Sequence, residues 1–131
     1  MRADWEWSDA WFLSAVLLCA AGNGSLTELI AAADYLNHAI LTLDEVNGAI
    51  ERLGSRGLLY KRGRHYRATL SVRKLMPAPG KRVYLHKLLE KVERFLRSHE
   101  PSSNTRSRTL TAVSAAELDA AYRNYRRHVG V

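Results

Sequence analysis

The stretch Leu53-Gly-Ser-Arg-Gly57-Leu-Leu-Tyr60-Lys-Arg-Gly-Arg64-His-Tyr-Arg-Ala-Thr69 contains a change of period, and the fold turns on where that change falls. Upstream, Val46, Ala49, Ile50 and Leu53 recur at intervals of three and four, the buried stripe of a helix. Gly54 and Gly57 follow, and glycine takes the left-handed backbone of a helix C-terminus most cheaply. Downstream, Leu58-Leu-Tyr60 and Tyr66-Arg-Ala-Thr69 are short β-prone segments on either side of Lys61-Arg-Gly-Arg64, a glycine-containing turn. A helix running directly into a small hairpin with a basic tip is therefore expected.

Toward the N-terminus, Thr42-Leu-Asp-Glu45 is a capping box that opens this helix, and Ser25-Leu-Thr-Glu28 opens the one before it. Leu26, Leu29, Ile30, Ala33 and Leu36 form the stripe of that second helix. A first helix is expected ahead of Gly22-Asn-Gly24, with Ser8 and Asp9 offering its N-cap and Trp11, Phe12, Ala15, Leu18 and Cys19 its buried side. Toward the C-terminus, Pro77-Ala-Pro-Gly80 reads as a linker. Val83, Tyr84, Leu88, Val92, Phe95 and Leu96 then stripe a helix to about residue 98. Residues 101–108 hold no apolar side chain and read as a solvated loop. A third capping box, Ser114-Ala-Ala-Glu117, opens a last helix carrying Leu118, Ala121, Tyr122, Tyr125 and Val129.

Three short helices, the last two closely joined and followed at once by a hairpin, form an order that resembles the winged helix-turn-helix superfamily. The junction Leu53-Gly-Ser-Arg-Gly57-Leu-Leu-Tyr60 carries the resemblance, together with the return of Tyr66 to Leu75 toward the core. The expected fold is mainly α with a small β-hairpin: a winged helix-turn-helix domain over residues 1–76, then a linker and two C-terminal amphipathic helices over 77–131. Those helices must pack on the core, on each other or on a second copy; a homodimer would use Tyr84, Leu88, Val92, Phe95, Leu118, Tyr122 and Tyr125. In DNA-binding relatives of this type the third helix enters the major groove and the hairpin meets the flanking backbone. The resemblance thus implies double-stranded DNA as partner, contacted by Thr42, Asn47, Arg52 and Arg56 on the helix and by Lys61, Arg62, Arg64, His65 and Arg67 on the hairpin. A small cytoplasmic transcription regulator would fit that description. Asp44, Glu45 and Glu51 on the same third helix favour a rival reading, a module that presents an acidic helix to a basic protein surface in a larger assembly.

Composition bounds these expectations. At 131 residues, 47% hydrophobic and 25% charged, the chain suits one globular core. The net charge of +7 is unevenly spread: residues 1–56 hold 3 basic and 8 acidic side chains, a net of −5, whereas 57–131 hold 17 basic and 5 acidic, a net of +12. No acidic residue occurs from Ser55 through Leu89. A basic half of this kind suits a polyanion. The apolar run over 11–22 is preceded by Asp4, Glu6 and Asp9, the wrong charge for a secretory signal, and is too short for a membrane span. A single cysteine, Cys19, allows no intramolecular disulfide and reads as a small buried hydrophobe in a reducing compartment.

No catalytic, metal or cofactor site is expected. Asp34 and His38 stand four apart with no further ligand at matching spacing. His65, His86, His99 and His128 are scattered, and Gly22-Asn-Gly24 lacks the lysine of a phosphate loop. Trp5, Trp7 and Trp11 cover either the edge of the core or a partner chain.

Overall fold

In the computed structural model the described residues are 5–19, 22–78, 80–98 and 110–128. The expected loop over 101–108, His99 and Val129 lie outside them. The protein is mainly helical, with a small three-stranded antiparallel sheet.

Helix α1 (Trp7–Leu18) is the axis of the molecule. Every side chain from Ser8 to Leu17 is buried, so the helix is enclosed on all sides. It lies against α2 (Leu26–Asn37), α3 (Leu43–Ser55), α5 (Leu85–Ser98) and strand β3 (His65–Ala68). The cap differs from expectation. Glu6, not Ser8, stands at the N-cap, and the Asp9 carboxylate accepts the Glu6 N–H at 2.9 Å. Asp9 can do this because it sits three residues into the helix, the place from which a carboxylate reaches back. Trp11 donates its indole N–H to the Ala33 carbonyl at 2.9 Å and so pins α1 to α2. Beyond the helix, Cys19 is buried, and burial pushes its thiol pKa up to about 12, with the Glu28 charge adding to the effect. It is an inert packing group.

All three expected capping boxes form, the last with Ser114 Oγ accepting the Glu117 N–H at 3.1 Å and Glu117 accepting the Ser114 N–H at 3.3 Å. Ser25 Oγ accepts the Glu28 N–H and Thr42 Oγ1 accepts the Glu45 N–H, at 3.3 and 3.2 Å, while each glutamate returns to the cap N–H. Helix α2 continues through Asn37 and ends on His38 in left-handed backbone. Helix α3 ends on Gly57 at φ 71°, with the Gly57 N–H on the Gly54 carbonyl and the Leu58 N–H on the Leu53 carbonyl. That paired pattern is a Schellman closure, and it delivers Leu58 and Leu59 to the core.

Strands β2 (Leu59–Arg62) and β3 form the expected hairpin, with Leu59 opposite Ala68 and Arg62 opposite His65. A third strand was not expected. The segment β1 (Asn23–Ser25), between the first two helices, pairs with the free edge of β3, giving the order β1-β3-β2. Gly24 is required there: a Cβ would stand 2.5 Å from the Cys19 sulfur. A single-turn helix, α4 (Leu70–Arg73), follows β3 and buries Val72.

The C-terminal helices belong to the same apolar cluster as α1. Helix α5 inserts Leu88, Val92 and Leu96, and α6 (Ala115–His128), lying along α2, adds Leu118 and Ala121 beside Val113. At about 1.5–3 kcal/mol for each large apolar side chain buried, the three that α5 inserts offset part of the conformational entropy lost when that helix is ordered on the core. Most of the side chains expected at a dimer face are used within the chain. Leu88, Val92 and Leu118 are inside the chain's own core, Phe95, Tyr122 and Tyr125 pack against it, and only Tyr84, just ahead of α5, keeps an exposed ring. No helix among the described residues is long and apolar enough to cross a membrane.

Candidate nucleic-acid interface

The hairpin geometry follows from a two-residue turn, with Gly63 at φ 62° in its first central place. Pairing then sorts the side chains by face, because successive residues of a strand point to opposite sides. Leu59, Lys61, Tyr66 and Ala68 share the inner side; Tyr66 is buried there, edge-on to Phe12 at 6.2 Å between centroids. The Lys61 ammonium lies 5.3 Å from the Tyr66 ring centroid, at the margin of that face.

The outer side carries two rows across the sheet. One is Asn23, Arg67 and Tyr60; the other is Ser25, His65 and Arg62. The Arg67 guanidinium sits over the Tyr60 ring at 5.8 Å, and its Nε is buried without a hydrogen-bond partner. Arg62, Arg64 and His65 are exposed. Among the described residues no carboxylate comes within ion-pair range of Arg62, Arg64 or Arg67, and the one that approaches His65 is Glu28, at 3.9 Å. That glutamate is itself occupied: the Ser25 N–H holds its pKa below the ordinary carboxylate value, with His65 contributing last.

The basic surface continues past the sheet. Lys74, Lys81, Arg82 and Lys87 are exposed, while the aliphatic part of Arg73 lies across Gly22. Sequence reading found the hairpin cations of this surface. It missed the tyrosine beneath Arg67 and the contribution of Asn23 and Ser25, because those depend on pairing with β1; alternation of Tyr60 and Arg62 along β2 was the available signal for the former.

All four candidate contacts of the third helix have partners within the fold. Arg52 is clamped by the fully buried Asp9, with Nε to Oδ2 at 2.7 Å and a second guanidinium nitrogen to Oδ1 at 2.9 Å, and Glu6 stands 3.6 Å away. Asn47 donates to the Val113 carbonyl at 3.0 Å and accepts the Val113 N–H at 2.7 Å, pairing α3 with the segment that leads into α6. Arg56 covers the Trp5 ring at 5.0 Å and reaches the Arg52 carbonyl, and Thr42 is the helix cap. These contacts tie the four side chains into the fold. What α3 leaves outward is Asp44, Glu51 and Ser55.

Other candidate chemistry does not assemble. Asp34 accepts the Tyr125 hydroxyl at 2.6 Å, joining α6 to α2, and His38 is the end of α2. Among the described residues no group of three or more His, Cys, Asp or Glu side chains could hold a metal ion. Trp11 is in the core, Trp5 packs against it, and Trp7 is half exposed beside Trp11.

No family model matches this chain, and neither a curated protein nor a solved structure does.

Proposed function

We propose that this protein is a DNA-binding module of the winged helix-turn-helix type, which grips the duplex backbone with the β2–β3 hairpin and reads little sequence with α3. The order helix, strand, helix, helix, hairpin supports the fold reading, as does the third strand that ties the hairpin to the helices. The observation that carries the function is the hairpin itself: Arg62, Arg64, His65 and Arg67 face outward or tipward with no carboxylate on either strand. Cations so placed neutralise phosphates and release condensed counterions. A helix whose outward residues are Asp44 and Glu51 repels the same phosphates, so base reading contributes little.

The test is charge reversal. Each lost phosphate contact forfeits about 0.9 power of the salt concentration, so removing two costs roughly 60-fold in affinity at 0.1 M salt. Arg62→Glu with Arg64→Glu weakens duplex binding by at least that factor in fluorescence anisotropy, and Glu51→Ala leaves it equal or tighter. Absence of salt-sensitive duplex binding by the unsubstituted protein at low ionic strength contradicts the proposal. That outcome would favour the second reading, in which exposed Asp44 and Glu51 dock a basic protein; its supporting observation is that Arg52, the cation nearest them on α3, is already neutralised by Asp9.

A further inference from the structure

Tyr84 is the exposed aromatic that the fold leaves in wholly cationic company. It is 56% exposed at the mouth of α5, where its carbonyl accepts the Leu88 N–H at 2.9 Å and so fixes its backbone. The Arg82 guanidinium stands 5.7 Å from the ring centroid and the Lys87 ammonium 5.3 Å, one from the approach to the helix and one from its first turn. Both cations are exposed, as is Lys81, and among the described residues none of the three has a carboxylate in ion-pair range. The other exposed aromatics lack this setting. Tyr35 follows Asp34 on α2, and Trp7 leans on Trp11 beside Glu6.

An exposed ring flanked by cations is the pairing that single-stranded nucleic acid requires: a π face for an unpaired base and positive charge for the phosphates on either side. Away from its ends a fully paired duplex offers no base face to such a ring, because each base there is stacked on both sides. Contact between an exposed cation and a ring is weaker than stacking of a base on it. An arriving base therefore displaces the cation from the ring, and the cation then meets the neighbouring phosphate.

We infer that Tyr84, Arg82 and Lys87 form a docking station for an unpaired DNA strand, Tyr84 stacking one base and the two cations holding the adjoining phosphates. This rests on the reading that the basic side of the molecule binds nucleic acid, and it extends the ligand from duplex to single strand. The probes are a mixed-sequence 12-mer, the matching blunt duplex, and the 12-mer with one 5-iodouracil for photocrosslinking.

The unsubstituted protein binds the single strand. Tyr84→Ala weakens that binding roughly 5- to 100-fold, Tyr84→Phe retains it, and both leave duplex affinity within about twofold. Iodouracil crosslinks map to Tyr84. Because the ring lies outside the core, thermal unfolding of Tyr84→Ala matches the parent. Equal single-strand affinity for Tyr84→Ala and parent overturns the inference, as does equal loss on both ligands. Binding of duplex with no binding of single strand overturns it while leaving the hairpin reading intact; binding of single strand alone supports it and removes the duplex reading.

Discussion

The most consequential single residue is Asp9. Its carboxylate is fully buried and accepts both the Glu6 N–H, which starts α1, and the two guanidinium contacts from Arg52 on α3. Arg52, about a quarter exposed, keeps part of its hydration; Asp9 keeps none. The pair is therefore asymmetric, since a buried charge left alone costs more than a partly exposed one. Arg52→Ala is predicted to destabilise by about 3–5 kcal/mol, and Asp9→Ala by about 2–3 kcal/mol after allowing for the solvent that Arg52 recovers. Urea denaturation of the two variants tests the order; a larger loss for Asp9→Ala would refute it. Nothing in the sequence marked this contact. The partners are 43 positions apart, and each had a local explanation, Asp9 as a cap and Arg52 as a base reader.

Among the elements, α3 shows most clearly what sequence can and cannot say. Its stripe, its Thr42–Glu45 cap and its Gly57 stop were legible because each is a local signal with a fixed spacing. The engagement of Asn47 was not, because Val113 comes from beyond α5. Asn47→Ala leaves the Val113 N–H and carbonyl without partners and should cost about 2–3 kcal/mol, while the folded variant binds unrelated duplexes as the parent does, within about twofold. A sequence-dependent loss of binding would restore Asn47 as a reader of bases. Strand β1 was missed for a similar reason: Asn-Gly-Ser has no β-propensity and exists as a strand only because β3 offers an open edge. Helix α5 had the right stripe and an open destination. With Leu88 inside the chain's own core, Leu88→Ala should lower stability by about 2–5 kcal/mol, and the lowered Tm should not vary with protein concentration. A concentration-dependent Tm would point back to a dimer through that face.

At the scale of the whole molecule, the split between an acidic N-terminal and a basic C-terminal half becomes a split of roles. Carboxylates such as Asp9, Glu28 and Glu45 cap helices and clamp Arg52, work done within the fold. The cations of the hairpin and of the segment before α5 have few internal partners and face solvent. Charge that the fold does not use is available to a polyanion, and it is carried by the hairpin and the segment before α5 rather than by the helix that the resemblance would have assigned to base reading. The direct test is the salt dependence of duplex binding. Replacing Arg62 and Arg64 with alanine should reduce the slope of log K against log salt by about 1.8, equally for two duplexes of unrelated sequence. An unchanged slope, or a loss confined to one of the two sequences, would contradict the claim that the hairpin grips the backbone.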